Sequence, residues 1–566
     1  MNGNRKIIIF AVSIFIFSIM AYLIANLLQD KALNDYQCVN CNVIIILVDA
    51  LRADHLGVYG YPRDITPNID RLSEEGIVFK NAFAQSSWTR PSTASILTGL
   101  YPKNHMANTC QNHLNDNALL ISEILKDKGY NTYAFVTNPH VGSAIGFNQG
   151  YDYFFESNDN VSLGAMPSDE LNKKIFDVID SMNSSDKNFI YIHYMDSHHP
   201  YTPSIKEYSV LNNISFDNDF FIKGKFSHFS EADRPDVLNQ MVDAYDDEIL
   251  FNDFQIGLLL ERLKERGIYQ NSVVVVVSDH GEEFFEHNNL LHGVTLFDES
   301  IHVPLIINSP GWKSQVYDEL VSQIDVMPTL LHILGFDVPD VDGEVILPPK
   351  VERLVYSELD LEGHKISSIR TKDTKFIAQQ LSPQVEIDPN NVSFRWFRHY
   401  AALGVNATRI ELPILSFRIP RSIRVTVDGI TLEDVEVSAD ETYLLNISFS
   451  EQDVHSLNLT SLSPCDRPID YGVNSDIRCL SFMIFNGSVD INEFEEIWPM
   501  YYMYFDLQAA SSEKNNLYYV EPDKIADKMN ELERYTADVR NSGWVSKEVN
   551  YTESMEAQLR ALGYMN

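Results

Sequence analysis

Two unbroken apolar runs, each ending in acid, limit what this chain can fold into more than any other feature. Asn42–Val48 reads NVIIILV and runs into Asp49; residues 271–278 hold five consecutive valines and run into Asp279 and His280. A strand with no polar alternation is buried on both faces, which is the mark of a central parallel strand covered by helices. In open α/β folds the site lies at the carboxyl ends of such strands. Asp49, Asp279 and His280 are therefore expected side by side. A third apolar run, residues 189–195, leads into Asp196-Ser197-His198-His199-Pro200-Tyr201 and predicts a strand that delivers His198 to the same edge. Helical periodicity over residues 119–128 and 243–266 supplies covering helices. The acidic residues of the second (Asp243, Asp246, Asp247, Glu248) are expected on a solvated face.

Residues 86–102 read SSWTRPSTASILTGLYP. Ser92 to Gly99 predicts a short helix with hydroxyl residues at its start and glycine at its end. A hydroxyl just before a helix N-terminus sits where backbone N–H groups and the helix dipole favour an anion. Thr89 is thus a candidate nucleophile toward a negatively charged ester. Taken alone, the same pattern is more often that of a plain helix cap.

This segment resembles the signature of the sulfatase family in the alkaline-phosphatase-like superfamily, Cys-x-Pro-Ser-Arg followed after three residues by Leu-Thr-Gly. The matching positions are Thr89, Pro91, Ser92, Thr93, Leu97, Thr98 and Gly99. Thr89 stands where the family's cysteine is oxidised to formylglycine, and threonine cannot be so converted. In the wider superfamily a threonine here is the nucleophile of phosphodiesterases and of phosphoethanolamine and phosphoglycerol transferases. Ala50 occupies the place of a second aspartate often found in sulfatases, which removes one calcium ligand.

The resemblance implies a mixed α/β sheet flanked by helices. It also implies a divalent metal held by Asp49, Thr89, Asp279 and His280. Carboxylate oxygens with an imidazole nitrogen suit manganese or zinc better than calcium. His198 and His292 are implied as catalytic groups and anion contacts, with His292 titrating near neutrality. Arg90 is a substrate contact by position, and His287 is expected nearer the surface. Arg52 and Asp54 brace the first loop.

The same resemblance places a catalytic unit at residues 42–347 and a smaller C-terminal α+β subdomain at 351–380 and 500–566. Residues 381–499 interrupt that subdomain with alternating strand patterns and turn signals, as in a small β-sandwich.

The charge balance is 43 Lys+Arg against 80 Asp+Glu, or −37. Such a surface repels polyanions and excludes nucleic acid as a partner. Residues 7–28 are uncharged and apolar behind Arg5 and Lys6, which predicts a single-pass anchor with a cytoplasmic N-terminus and the catalytic unit outside. Five cysteines and the Asn-x-Ser/Thr triplets at Asn160, Asn183, Asn213, Asn391, Asn406, Asn446, Asn458, Asn486 and Asn550 accord with an exterior location. Cys38-x-x-Cys41 predicts a disulfide, with Cys110 as an alternative partner; Cys465 and Cys479 could staple a loop.

The reading that follows is metal-dependent hydrolysis or transfer of a phosphate ester of a cell-envelope lipid or glycan, through Thr89. Two alternatives stand beside it: sulfuric ester hydrolysis, and a non-catalytic binding protein built on the same fold.

Overall fold

The computed structural model describes residues 36–157, 166–201, 234–287, 289–361 and, with interruptions, 364–555. The apolar runs form the middle of a nine-stranded mixed sheet. In chain order the strands are β1 (Asn42–Val48), β2 (Gly76–Phe83), β3 (Asn131–Val136), β4 (Tyr153–Glu156), β5 (Asn188–Tyr194) and β6 (Ser272–Val277). A separate hairpin, β7 (Glu283–Phe284) and β8 (Leu290–Leu291), precedes β9 (His302–Val303), β10 (Leu305–Asn308) and β11 (Gln315–Ser322). The sheet order is β11-β2-β10-β6-β1-β5-β3-β4, with β9 beside β2.

β1 runs parallel to both neighbours, β5 and β6. Its side chains alternate between two cores, Val43, Ile45 and Leu47 on one face and Ile44, Ile46 and Val48 on the other. Each such buried aliphatic contributes about 1.5–3 kcal/mol, so this strand is anchored from both sides. The helices Thr89–Thr98 and Val326–Ile333 cover the first face; Pro67–Ser73, Ser168–Ser181 and Arg234–Glu265 cover the second.

The acidic residues of the long helix are not solvated, contrary to the sequence expectation. Asp246, Asp247 and Glu248 are buried. Asp246 meets His55 Nδ1 at 2.7 Å and accepts from Tyr61 Oη at 2.6 Å and Arg63 Nη1 at 2.7 Å. Asp253 accepts the backbone N–H groups of Asn68 and Ile69, at the start of the Pro67–Ser73 helix. These carboxylates fasten the helix to the chain that follows β1, and donors there replace water.

The structure does not bear out the expected single-pass arrangement. Among the described residues no helix is long and apolar enough to cross a membrane. The longest, Arg234–Glu265, carries charge along its whole length. Residues 7–28 themselves lie outside the described residues, as do Asn160, Asn213, Asn391, Asn486, Asn550, Cys465 and Cys479. Cys38 and Cys41 form a disulfide with each other, and Cys110 is outside it.

Beyond the main sheet, β12 (Val355–Leu361), β13 (His364–Arg370) and β14 (Thr374–Leu381) form an antiparallel sheet that Met500–Asp506 completes. Between β14 and that last strand come a five-stranded and a four-stranded antiparallel sheet. Leu412, Ile414 and Leu445 from one and Ile423, Val425, Val435 and Leu457 from the other share a single core. That is the packing of a β-sandwich.

Candidate active site

The parallel register brings the carboxyl ends of β6, β1, β5 and β3 into one row. Asp49 follows the last residue of β1, and Asp279 and His280 follow β6 by one intervening serine. Ala50 turns the chain with a left-handed φ of 55°. Its N–H then donates to Asp279 Oδ1 at 3.2 Å, which joins the two strand ends. Gly281 is required where it stands, because a Cβ there would lie 2.0 Å from the Glu299 carbonyl oxygen.

The helix carrying the candidate nucleophile starts at Thr89 itself, after extended Trp88, rather than at Ser92. Pro91 fits the first turn because no intrahelical N–H is needed there. Gly99 ends the helix at φ 68°. Thr89 Oγ1 lies 3.3 Å from His280 Nε2.

The donor atoms here are arranged for a cation. Asp49 Oδ2 accepts from Asn138 Nδ2 at 2.7 Å and meets His193 Nε2 at 2.9 Å, while its Oδ1 has no hydrogen-bond partner. Asp279 Oδ1 accepts the His280 N–H at 2.9 Å, while its Oδ2 is likewise without one. His280 Nδ1 donates to the Gly281 carbonyl at 2.8 Å, which leaves Nε2 as an acceptor. That nitrogen is 3.5 Å from Asp49 Oδ1 and 3.6 Å from Asp279 Oδ2. Three buried ligand atoms thus converge, and their crowding is relieved by a cation, or by a proton held between them.

The electrostatics agree. Burial, together with the Asp49 carboxylate, raises the Asp279 carboxyl. Burial would also raise Asp49, but the His193 hydrogen bond and the imidazoles of His198, His193 and His280 outweigh it and hold the carboxyl below its usual range. Burial would lower His280, yet the Asp279 and Asp49 carboxylates raise it. The residues present fit a divalent cation.

His198 and His292 stand beside this cluster, their rings 4.8 Å apart, with His292 4.3 Å from His280. His292 Nδ1 donates to Glu282 Oε1 at 2.8 Å, and Tyr201 donates to the other oxygen at 3.0 Å. Burial pushes His198 down to about 4. Burial and the neighbouring His280 push His292 well below its ordinary value. Near neutrality both rings are uncharged, which corrects the expectation that His292 titrates there.

Arg90 does not take the expected place. Its Nη1 donates to the carbonyls of Thr109, Cys110 and Asn112 at 2.7–3.0 Å, and Nη2 is 2.9 Å from His140 Nδ1. The guanidinium is fully buried and knits the loop at 109–112 to the Thr89–Thr98 helix. Arg52 does brace the first loop, through Asp54 at 2.8 and 2.9 Å. His287, expected near the surface, is largely enclosed, stacked on Phe297 at 3.8 Å with Nδ1 3.3 Å from Glu299.

Sequence reading missed Asn138 and His193. Asn138 donates to Thr89 Oγ1 at 3.3 Å as well as to Asp49, and its own Oδ1 accepts the His140 N–H at 2.8 Å, which fixes the amide. The signal for Asn138 was its place just past β3, the same strand-end position as the aspartates. Asp49, His193 and Asp279 have ligand atoms within 4.8 Å of one another.

Among known proteins, the sulfatase family model matches residues 41–336, more than half of the chain. The chain belongs to the sulfatase family. Enzymes of this family use a metal ion, and the Asp-His-Asp grouping is a possible site for it. The family member is 27% identical over 331 residues to the ulvan-active sulfatase of Formosa agariphila, covering 54% of this chain and 63% of that one. It is also 27% identical over 398 residues to the multifunctional alkaline phosphatase superfamily protein PehA of Trinickia caryophylli, covering 54% and 76%. The solved structure of BT4656 in complex with its substrate D-glucosamine-2-N,6-O-disulfate has the same fold, with a TM-score of 0.52 at 19% identity over 60% of this chain and 88% of that one.

Proposed function

We propose that this sulfatase-family protein is a metal-dependent hydrolase or transferase of phosphate esters that uses Thr89 as its nucleophile. One observation carries the reading: the Thr89 hydroxyl stands at the rim of the cluster formed by Asp49 Oδ1, Asp279 Oδ2 and His280 Nε2. A divalent cation, if bound by these residues, would supply charge that acidifies the hydroxyl and neutralises the oxygens of the transferred group. Asn138 donates toward Thr89 Oγ1 and so stabilises the developing alkoxide. Attack on phosphorus expels the alcohol and leaves a phosphothreonine, which water or an acceptor alcohol then cleaves. In this reading the neutral His292, held at Nδ1 by Glu282, takes up the proton of that second nucleophile.

Threonine instead of an oxidisable cysteine supports phosphoryl over sulfuryl chemistry. The names of relatives such as the ulvan-active sulfatase favour sulfuric ester hydrolysis as the second reading. The protein loaded with manganese or zinc separates them with bis-aryl phosphate, aryl phosphate and aryl sulfate. Phosphate-ester turnover is expected, with a loss of at least about 10³-fold in Thr89→Ala. Turnover of sulfate alone, or phosphate turnover that survives the substitution, would sink the proposal.

A further inference from the structure

His193 lies in β5, directly across from Leu47 of β1 and one strand away from the site. Its ring is completely buried between two partners. Nε2 is 2.9 Å from Asp49 Oδ2, and Nδ1 is 3.0 Å from the Tyr191 hydroxyl. A carboxylate can only accept, so Nε2 carries the proton, and the phenol donates to Nδ1. Both ring nitrogens are then engaged, and neither has a lone pair to give an ion. The same Asp49 oxygen also accepts from Asn138, while the unpartnered Oδ1 is the one turned toward Asp279 and His280.

We infer that His193 is a positioning residue and not a metal ligand: with Tyr191 fixing its tautomer, it holds Asp49 Oδ2 so that Oδ1 is presented to the cation. The inference rests on the metal cluster named above, and it does not depend on which ester is the substrate. Without the ring, Asn138 alone holds Oδ2, and the Asp49 carboxylate is freer to rotate about its last bond. Partners of this kind commonly change metal affinity by about 10- to 100-fold.

The test uses the full chain, stripped with a chelator and titrated calorimetrically with Mn²⁺ and Zn²⁺. His193→Ala is expected to weaken binding about 10- to 100-fold. His193→Gln, which restores an N–H donor, recovers most of that loss, and Tyr191→Phe loses less than His193→Ala. The Co²⁺-loaded His193→Gln protein keeps the absorption bands of the parent, because the ligand set is unchanged. Wild-type affinity in His193→Ala would overturn the inference. So would Co²⁺ bands in His193→Gln that show an imidazole replaced by oxygen, or a parent that binds no divalent ion. Melting of the metal-free proteins checks folding; if His193→Ala fails to fold, the other two variants decide. In a parent that binds metal, which ester the Thr89→Ala assay shows to be turned over is decided independently of how the His193 variants rank in affinity.

Discussion

Two clusters of carboxylates and histidine lie close together in this molecule, and they solve the same electrostatic problem differently. In the first, Asp49, Asp279 and His280 meet with no ammonium or guanidinium among the contacts described above. In the second, His287, Glu299 and Glu513 meet where β14 brings Lys375. Lys375 is fully buried, 2.7 Å from Glu513 Oε1 and 2.8 Å from Asp298 Oδ1, and Arg370 holds the same Asp298 at 2.7 Å. His287 Nε2 is occupied by the Glu513 carbonyl at 3.2 Å. The geometric grouping of ligand types is alike; the supply of positive charge is not. Where the chain contributes its own ammonium and guanidinium, the cluster is a structural ion network. Where it contributes none, the cluster is left open to an ion from solution.

The sharpest way to break this contrast is Lys375→Met. Removing one partner from a buried ion network costs about 3–5 kcal/mol, because the other charges stay buried. A large drop in melting temperature is expected, with metal affinity at the first cluster retained in the folded fraction. Metal loss without destabilisation would reverse the assignment of the two clusters.

Asp279→Asn addresses the other side. Metal affinity should fall by more than the roughly 100-fold typical of outer partners. The metal-free protein should melt at a higher temperature, because one of two crowded carboxylates is gone and an amide N–H faces the Asp49 and His280 acceptors. A metal-free protein destabilised by this change would show that the cluster carries no repulsion.

The smallest expected effect is a pH slope. Burial, with the Glu299 carboxylate adding to it, pushes the Glu283 carboxyl up to about 7. Its unfolded value is about 4.3. The folded state therefore binds this proton more tightly; the resulting stability is full below about pH 4.3 and lost as pH rises through about 7. Glu283→Gln should flatten melting temperature against pH across that window. An unchanged slope would place the titration elsewhere.

How much of this was legible in the sequence follows from the distance over which each residue finds its partner. Asp49, Asp279 and His280 announce themselves because each interrupts an apolar run at a strand end, and the backbone alone sets their meeting. His193 sits inside such a run, where a histidine reads as one more core residue. Its partner is Asp49, 144 positions away, and only the strand register shows the pairing. Arg90 went astray for the same reason: its neighbours at 109–112 come from a loop whose path no local pattern encodes. The acidic helix misled because charge density reads as solvent exposure, whereas His55, Tyr61 and Arg63 fold back to bury Asp246.

The Lys375–Asp298–Glu513 contact has a consequence for the order in which the protein matures. Asp298 and Glu299 follow closely on the loop that carries His292, yet two of their partners come from β14 and from residue 513. On a ribosome the main sheet can condense as soon as residues 42–322 have emerged. The His292 loop gains its final fastening only after residue 513 has been made. An arrested or clipped nascent chain would then carry Thr89 and the Asp49–Asp279–His280 cluster without a settled His292 loop, so the site is completed late in synthesis.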